Sequence, residues 1–295
     1  MLQPASEHME RLVASLDVTT VYADLDGTLL GPGGSLFAGP QQGAVTQEAA
    51  TAVAGLATAG VDLVLMSGRN RDQVREAART LGATVFIAEI GGVIVYRQSG
   101  GEEVVRAGAG DRRRSGHEAI QRSGAAGFLL EAYRGRLEPH APWAFLPREC
   151  SVLLRGQVDL DEARAVLRDG GYGWLDLQDN GVIPGGRARF PWLEVDHARA
   201  YHLVPAGVSK RSAIAMDRSR RAVDRSQCIA VGDGPADADV APEVGAVFIV
   251  SNGVQALDGA HVAANVFVTE GSHGAGFAEA VAPFAGIGAG GRRVR

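Results

Sequence analysis

The sequence predicts an α/β protein in which a parallel sheet with helices on its faces is interrupted by an inserted α+β domain. Two observations predict this class. Short apolar runs alternate with helix-length segments up to about residue 96, and the same alternation resumes after Lys210. The segment 97–202 lacks that regularity. Strands that alternate with helices of this length are typical of parallel sheets, because each crossover between parallel strands needs a long connection.

The first predicted strand covers residues 19–25 and is followed by a loop and a helix. The loop at 29–45 is rich in glycine and proline, which favour turns. The helix is predicted over 47–59, with Thr46 as its N-cap and Gly60 just beyond its end. A hydroxyl side chain before the first turn and a glycine after the last are common signals of helix ends.

The second and third predicted strands enclose another helix. The apolar run at 61–66 leads into Ser67, and a helix over 70–81 ends at Gly82. The third strand covers 84–90. Because strands and helices still alternate here, the parallel sheet is expected to extend through all three strands.

The inserted segment at 97–202 holds fewer regular elements. A strand is predicted at 151–156, a helix at 160–171 and a strand pair around 173–183. This mixture differs from the alternation on either side of it, and it therefore predicts a separate α+β unit.

The alternation of strands and helices resumes towards the C-terminus and completes the core. Its predicted elements are a helix at 210–222, strands at 227–233, 246–250 and 265–269, and a helix at 274–284. The core is accordingly predicted to consist of residues 1–96 and 203–295.

Composition narrows the range of functions. The chain has 295 residues, of which 46% are hydrophobic, and its formal net charge is −5. An acidic balance argues against a nucleic-acid partner, and the two cysteines, far apart in sequence, predict neither a cysteine metal site nor a disulfide framework. We find no signal-peptide pattern and no apolar run of membrane-spanning length. A cytoplasmic protein without a membrane partner is therefore predicted.

Polar side chains follow several of the predicted strands at the point where each strand ends. Asp24 and Asp26 end the first strand, Ser67 follows the second and Asp233 ends a later one. Ligands of open parallel sheets bind beyond the carboxyl ends of the strands, so we expect these groups to lie together. Lys210 opens a helix that could direct its ammonium group to the same place.

The chemistry of this set favours a magnesium ion and a phosphate. Carboxylates that converge without histidine or cysteine suit a hard cation, and Mg²⁺ is held by one or two carboxylates with water and substrate phosphate. A carboxylate beside the metal can attack phosphorus. Serine, lysine and backbone N–H groups can hold the phosphoryl oxygens. Taken alone, each of these short motifs is equally compatible with a turn or a surface residue.

Four motifs in this order resemble the haloacid dehalogenase superfamily in its phosphatase branch. They are DxDGT at 24–28, Ser67 at a strand end, Lys210, and the acidic GDxxxD at 232–237. The resemblance covers about 20–95 and 203–285. It implies a Rossmann-like parallel sheet core with an inserted α+β cap domain.

The resemblance also implies a role for each motif residue. Asp24 is implied to be the nucleophile and Asp26 the acid and base. The implied Mg²⁺ ligands are Asp24, Asp233 and the backbone carbonyl of Asp26, with Asp237 as a ligand or as support for one. The residues implied to bind phosphate are Ser67, Gly68, Lys210, Gly27 and Thr28.

The position of the insert, between the second and third motifs, resembles the C2-capped subfamily, in particular the C2B type of the Cof-like sugar phosphatases. The sequence departs from that pattern in three places. Gly234 and Ala236 replace the usual serine and asparagine of the fourth motif, and Ile90 replaces the asparagine of an ENGA turn. The catalytic pair is intact, so these departures predict a different substrate or an altered Mg²⁺ affinity rather than an inactive protein.

The cap is expected to shape the substrate pocket. Aromatic side chains beside charged ones suit a sugar or polyol phosphate. The candidate substrate residues are Arg69, Arg134, His140, Trp143, His202 and Asn252. A structural role is the alternative for several of them: Trp143 as part of the cap core, Arg134 as a solvated residue, and His202 as a buried, hydrogen-bonded histidine.

The sequence thus predicts a Mg²⁺-dependent phosphomonoester hydrolase that forms an aspartyl phosphate on a small phosphorylated metabolite. Two alternatives stay open at this point. A phosphomutase or phosphotransferase would pass the phosphoryl group to a second substrate instead of water. A non-catalytic, ligand-binding regulatory protein on the same fold is the alternative from another functional class.

Overall fold

The computed structural model describes residues 2–39, 41, 43–108, 115–183, 189–257, 262–288 and 292–293. Two sheets organise this part of the chain, one of nine strands and one of four, beside a short two-stranded pair. None of the helices in the described ranges is both long and apolar enough to span a bilayer.

The strands and helices are numbered here in chain order. The strands are β1 (Gln3–Pro4), β2 (Thr20–Asp24), β3 (Asp62–Met66), β4 (Val85–Ala88), β5 (Val93–Gln98), β6 (Gly101–Arg106), β7 (Leu137–Pro139), β8 (Val152–Gly156), β9 (Leu175–Ile183), β10 (Ala198–Pro205), β11 (Cys228–Gly232), β12 (Ala246–Ile249), β13 (Val266–Val268), β14 (Ile287–Gly288) and β15 (Arg292–Arg293). The helices are α1 (Met9–Ser15), α2 (Glu48–Ala59), α3 (Arg71–Leu81), α4 (Gly116–Ser123), α5 (Ala125–Ala132), α6 (Leu160–Asp169), α7 (Lys210–Arg221), α8 (Pro235–Ala238) and α9 (His273–Val281). Short 3₁₀ turns cover Pro32–Gly34, Glu89–Gly91, Trp143–Phe145, Arg225–Gln227, Ala241–Glu243 and Ser251–Leu257.

The larger sheet has the strand order β1-β13-β12-β11-β2-β3-β4-β5-β6. Every neighbouring pair from β1 to β4 is parallel, and β5 and β6 add an antiparallel hairpin at one edge. The strands β2 and β11, which carry the acidic motifs, lie side by side in the middle of the sheet. The predicted fold class is confirmed.

Both faces of the larger sheet are buried over its central parallel strands, from β12 to β4, which explains why these strands are apolar almost throughout. Successive side chains of β2 point to opposite faces: Val21 and Ala23 join one apolar cluster, and Tyr22 joins the other. Asp24 is the last residue of this strand, so its carboxyl group is held at the carboxyl edge of the sheet.

Helix ends follow the local sequence closely. In α3 the Asn70 side chain accepts a hydrogen bond from the Gln73 backbone N–H at 3.0 Å, and Gly82 ends the helix in a left-handed conformation. In α2 the cap position is Gln47, while the hydroxyl of Thr46 accepts a hydrogen bond from Glu48 N–H at 3.2 Å. The helix thus begins one residue later than predicted, and Thr46 is the residue before the N-cap instead of the N-cap itself.

The smaller sheet forms the inserted unit, with the antiparallel order β7-β8-β10-β9. The strand pair predicted around 173–183 is wrong, because β9 is a single strand over those residues. It contains a bulge: Arg199 pairs with Val182 and Tyr201 with Asp179, so Asn180 and Gly181 face one residue of β10. The turn-like residues of this stretch form the bulge instead of a hairpin.

Strand pairing also shows where the chain passes from the larger sheet to the smaller one and back. The strand β6, at Gly101–Arg106, pairs within the larger sheet, whereas β10, at Ala198–Pro205, pairs within the smaller one. The predicted division of the chain at 96 and 203 stays a prediction. By strand pairing alone, the changes of sheet come after Arg106 and after Pro205.

A buried polar network ties α7 to the middle of the larger sheet. Asp217 is fully buried, accepts a hydrogen bond from the Tyr22 hydroxyl at 2.7 Å and pairs with Arg221 at 2.6 Å. Arg221 also pairs with Asp62, which is 59% exposed, at 3.1 Å. This network fixes the helix that begins with Lys210.

We expect the substitution Asp217→Asn to lower the free energy of unfolding by about 3 kcal/mol, because it leaves Arg221 and Tyr22 without a buried anionic partner. Asp62→Asn is the matched control, since it removes the exposed partner of the same arginine and should cost about 0–1 kcal/mol. Urea unfolding of both variants measures the difference. Equal losses would contradict a special contribution from the buried pair.

Candidate active site

Three of the predicted site residues meet at the carboxyl end of β2. The ammonium nitrogen of Lys210, the first residue of α7, lies 2.6 Å from Asp24 Oδ1 and 2.7 Å from Asp237 Oδ1. All three side chains are buried. Strand β2, the start of α7 and the short helix α8 therefore deliver one cation between two carboxylates.

Negative charge is in excess around this end of the sheet. Burial raises the pKa of Asp24 well above its usual value, and the carboxylates of Asp237 and Asp233 raise it further against the pull of Lys210. Burial also raises the pKa of Asp233, to about 7, with Asp237 as the next cause. Burial alone would lower the pKa of Lys210, but Asp237 and Asp24 more than offset it and raise that pKa.

Asp233 lies directly against the turn that follows β2. Its Oδ2 is 2.1 Å from the point that a Cβ atom at Gly27 would occupy, and Gly27 has a φ of +86°. Both facts require glycine at this position. The absence of a side chain lets the Asp233 carboxylate approach the backbone next to Asp26.

Asp26 makes a different contact from Asp24. Its side chain is 54% exposed and forms a two-point ion pair with Arg69, whose Nε donates to Oδ2 at 2.7 Å. Arg69 follows Ser67 and Gly68 on the neighbouring strand end. The structure thus keeps the two aspartates at the same sheet edge but gives them separate cationic partners.

The predicted phosphate-binding residues surround the same edge. Thr28 is fully buried, and its hydroxyl has no hydrogen-bond partner among the described residues. The Ser67 hydroxyl accepts a hydrogen bond from the Arg69 N–H at 3.1 Å. Gly68 is in close contact with cap residues, described below. A buried hydroxyl without a partner in the turn after β2 is a group that a bound phosphoryl oxygen could satisfy.

Asp237 and Asn252 use their polar atoms within the protein. Asp237 Oδ2 accepts hydrogen bonds from the N–H groups of Gly234 and Asp233, at 3.1 and 3.3 Å. The Asn252 amide donates to the Gly27 carbonyl at 2.8 Å and accepts from the His273 N–H at 2.8 Å. These contacts support the turns that carry the acidic residues, and substrate contact by Asn252 stays a prediction.

Two cap side chains lie against Gly68. The position of a Cβ atom at Gly68 would be 2.3 Å from Asn180 Nδ2 and 2.8 Å from His202 Nε2. Asn180 belongs to the bulge of β9, and His202 lies in the neighbouring strand β10. Glycine at 68 therefore allows the cap sheet to approach the end of β3, and any larger residue would displace these side chains.

A buried carboxylate outside the predicted site joins core to cap. Glu89 Oε1 accepts a hydrogen bond from the Glu149 N–H, and Oε2 accepts from the N–H groups of Cys150 and Ser151 and from the Ser151 hydroxyl, all at 2.8–3.0 Å. Glu89 has a φ of +50°, which is rare for a residue other than glycine.

Glu89, Arg148, Ser151 and Asn180 were not among the predicted site residues. Arg148 is buried and donates to the Gly68 carbonyl at 3.3 Å and to the Ser151 hydroxyl at 3.1 Å. A glutamate at the end of an apolar strand was a signal for Glu89. The other three reach core residues only because the cap packs on the core, which no local pattern reveals.

The remaining cap candidates lie in different environments. Arg134 is 79% exposed and pairs with Glu131, as its solvated alternative predicted. Trp143 is 46% exposed, so its alternative as a cap-core residue is wrong. His140 is partly buried, and burial together with the charges of Arg155 and Arg148 lowers its pKa to about 4. Substrate contact by these three residues stays a prediction.

The residues at the sheet edge fit a magnesium ion in chemistry and charge. Four carboxylates (Asp24, Asp26, Asp233 and Asp237) face two cations, Lys210 and Arg69. No three acidic, histidine or cysteine side chains in the described part of the chain already form a ligand cluster. Mg²⁺ does not need one, because it takes one or two carboxylates and completes its shell with water and substrate oxygens.

Comparison with known proteins agrees with the fold and the motifs. The sequence model of the haloacid dehalogenase-like hydrolases matches residues 21–108, which include the first two motifs. Over this segment the chain is a haloacid dehalogenase-like hydrolase by sequence. This match agrees with the order of the motifs, and it makes the chain an enzyme of the hydrolase class.

Three proteins illustrate these relationships. The phosphoglycolate phosphatase of Methanoculleus marisnigri is 26% identical over 264 residues, which are 89% of this chain and 94% of that protein. The protein BT1666 of Bacteroides thetaiotaomicron, described among the phosphatases of the superfamily, is 18% identical with a TM-score of 0.60 and coverage of 90% and 95%. The sucrose-phosphatase of Synechocystis sp. PCC6803 is also 18% identical, with a TM-score of 0.58 and coverage of 90% and 97%. At that identity the two solved structures bear on the fold alone.

Proposed function

We propose that this chain is a Mg²⁺-dependent phosphomonoester hydrolase that works through a phosphorylated Asp24. The observation that carries the proposal is the buried Lys210 ammonium, 2.6 Å from Asp24 and 2.7 Å from Asp237, at the carboxyl end of a central parallel strand. A carboxylate beside a fixed cation at this edge is placed to attack an anionic phosphoryl group, whose charge the cation offsets.

The proposed reaction has two steps. In the first, an Asp24 oxygen bonds to phosphorus, the bond from phosphorus to the leaving oxygen breaks, and Asp26 gives that oxygen a proton. In the second, Asp26 takes a proton from water as the water oxygen bonds to phosphorus. The bond between phosphorus and Asp24 then breaks, which releases inorganic phosphate and restores the Asp24 carboxylate and the protonated Asp26.

The other motif residues bind and orient the phosphoryl group. Lys210 and the hydroxyls of Ser67 and Thr28 would hold its oxygens, with the backbone N–H groups near Gly27 and Gly68. Asp24, Asp233 and the backbone carbonyl of Asp26 would hold Mg²⁺, with Asp237 fixing the turn beside them. When bound, the ion neutralises charge on the phosphoryl oxygens.

The substrate is proposed to be a small sugar or polyol phosphate, which the charged and aromatic residues of the cap favour. The Methanoculleus marisnigri relative is named a phosphoglycolate phosphatase, and this makes phosphoglycolate the competing candidate. The two classes differ in the group next to the phosphoester, a hydroxyl in one and a carboxylate in the other.

Phosphate release from a panel of phosphorylated sugars, polyols, acids and an aryl phosphate tests the proposal. We expect turnover with added Mg²⁺ and its loss, by at least about 10²-fold, after chelation, with recovery when Mg²⁺ returns. Reaction in ¹⁸O-labelled water should place the label in the released phosphate. Unlabelled phosphate esters of a second acceptor would instead show a phosphotransferase, and no turnover on any substrate would support a ligand-binding protein.

A further inference from the structure

We propose that His202 of the cap is a specificity residue whose Nε2 accepts a hydrogen bond from a hydroxyl group on the alcohol part of the substrate. This inference rests on the proposed function. It concerns substrate selectivity, which the reaction at Asp24 does not determine. The selectivity in question is for substrates that carry a hydroxyl near the phosphoester over substrates that carry a methyl group or a carboxylate there.

The hydrogen bonds of the Ser151 hydroxyl determine which ring nitrogen of His202 carries the proton. Ser151 Oγ is 2.8 Å from Glu89 Oε2, 3.1 Å from Arg148 and 3.1 Å from His202 Nδ1. A hydroxyl has one proton to donate and two lone pairs to accept with. The proton goes to the Glu89 carboxylate, because hydrogen bonds to an ionised acceptor are the strongest.

The two lone pairs of Ser151 Oγ are then left for donors. Arg148 can only donate, so it uses one of them. His202 Nδ1 uses the other and must therefore carry a proton. Burial lowers the pKa of His202 well below its usual value, and the charges of Arg148, His140 and Lys210 lower it further, so the ring is neutral. Its second nitrogen, Nε2, is consequently a bare acceptor.

This acceptor is buried and is directed at the phosphate-binding turn. His202 is fully buried, and its Nε2 has no hydrogen-bond partner among the described residues. The same atom lies 2.8 Å from the Cβ position of Gly68. An unpaired buried acceptor costs free energy that a suitable donor would recover. A hydrogen-bond donor on the substrate, next to its phosphate group, would therefore be bound favourably by Nε2.

The chemistry of the partner follows from the tautomer. An alcohol hydroxyl can donate to Nε2. A methyl group cannot, and a carboxylate would place acceptor oxygens against an acceptor nitrogen. The Asn180 amide fills the space beside Gly68 in this structure, so the substrate hydroxyl would take its place as the Asn180 side chain turns away. The bulge in β9 gives this residue a backbone that is less constrained by strand pairing.

The test uses matched substrates and three variants. The substrates are hydroxyalkyl and polyol phosphates of two to six carbons, alkyl phosphates of the same length, phosphoglycolate and an aryl phosphate. His202→Asn is too short to reach beyond Ser151 and removes the acceptor. His202→Gln can place an amide oxygen near the position of Nε2. His197→Asn changes an exposed histidine of the same cap and is the control.

For the wild type we expect kcat/KM of the best hydroxylated substrate to exceed that of its alkyl counterpart by at least about tenfold, and that of phosphoglycolate by more. His202→Asn should bring the hydroxyl-to-alkyl ratio close to one while the aryl phosphate is hydrolysed at a similar rate, and His202→Gln should restore part of the ratio. His197→Asn should leave it unchanged.

A hydroxyl-to-alkyl ratio below about threefold at every length would overturn the inference, as would a ratio that survives in His202→Asn. Equal losses on all substrates in His202→Asn would also overturn it, because they would indicate a purely structural histidine. Failure of the proposed function has a different signature, which is the absence of Mg²⁺-dependent phosphate release from every substrate, the aryl phosphate included.

Discussion

The substitution Asp24→Asn is expected to lower phosphate release by on the order of 10⁴-fold or more, because an amide cannot replace the carboxylate as the nucleophile. The change keeps the size of the side chain and an oxygen that can accept from Lys210. Lys210 also keeps its pair with Asp237 at 2.7 Å. The variant should therefore stay folded, and thermal unfolding followed by circular dichroism checks this.

The control for Asp24→Asn is Asp17→Asn. Asp17 is exposed and precedes the same strand, so the identical chemical change there should leave the rate within about twofold. Rapid quenching with a labelled substrate should trap an acid-stable phosphoprotein in the wild type and none in Asp24→Asn. Turnover of this variant near the wild-type rate would rule out a covalent step at Asp24.

The second large effect is expected for Asp26→Asn, with a loss of roughly 10²–10⁴-fold on an alkyl phosphate. Asparagine cannot pass a proton to the leaving oxygen. The structure adds a condition to this role, because both oxygens of the Asp26 side chain are held by Arg69 in a two-point ion pair. The pair has to open before Asp26 can carry a proton to the substrate.

A comparison of leaving groups isolates that role. An aryl oxide leaves without a proton, so the first step on an aryl phosphate should be much less affected by Asp26→Asn than the same step on an alkyl phosphate. Pre-steady-state bursts measure this step. Asp72→Asn, which breaks an exposed aspartate–arginine pair at the surface, is the control. A loss below about tenfold, or equal losses for both leaving groups, would assign proton transfer to another residue.

The parts of the site that could be predicted from sequence are those encoded at strand ends. Asp24 follows an apolar strand directly, and Lys210 follows a helix-capping serine, so each position is set by its neighbours in the chain. The fold class was predictable for the same reason, since the alternation of strands and helices is local. The parallel core and the separate antiparallel sheet confirm it.

The parts that could not be predicted depend on how the cap packs against the core. Ser151 and His202 meet across 51 residues of sequence, and Glu89 reaches Ser151 across 62. The sequence offered His202 either as a pocket residue or as a buried, hydrogen-bonded one. In the structure His202 is buried, with Nδ1 hydrogen-bonded and Nε2 without a partner in the described part of the chain. Composition and periodicity do not distinguish this state from the other two.

The misread strand in the cap has a related cause. Asp179, Asn180 and Gly181 favour turns, and taken by themselves they predict a break between two strands. Pairing with β10 on one side keeps the strand continuous, and the extra residue is taken up as a bulge. The bulge places the Asn180 side chain against Gly68. In a regular strand, successive side chains would instead have continued to alternate between the two faces of the sheet.

The attachment of Glu89 to the cap has a consequence for protein engineering. Exchanging caps between relatives is an obvious route to new substrate ranges, and it treats the two units as interchangeable modules. Here the core contributes a fully buried anion whose hydrogen-bond donors come from residues 149–151 of the cap. A transplanted cap without a matching loop would leave that anion without donors, at a cost of several kcal/mol. Chimeras of this protein should therefore transfer residue 89 and the loop at 149–151 as one unit.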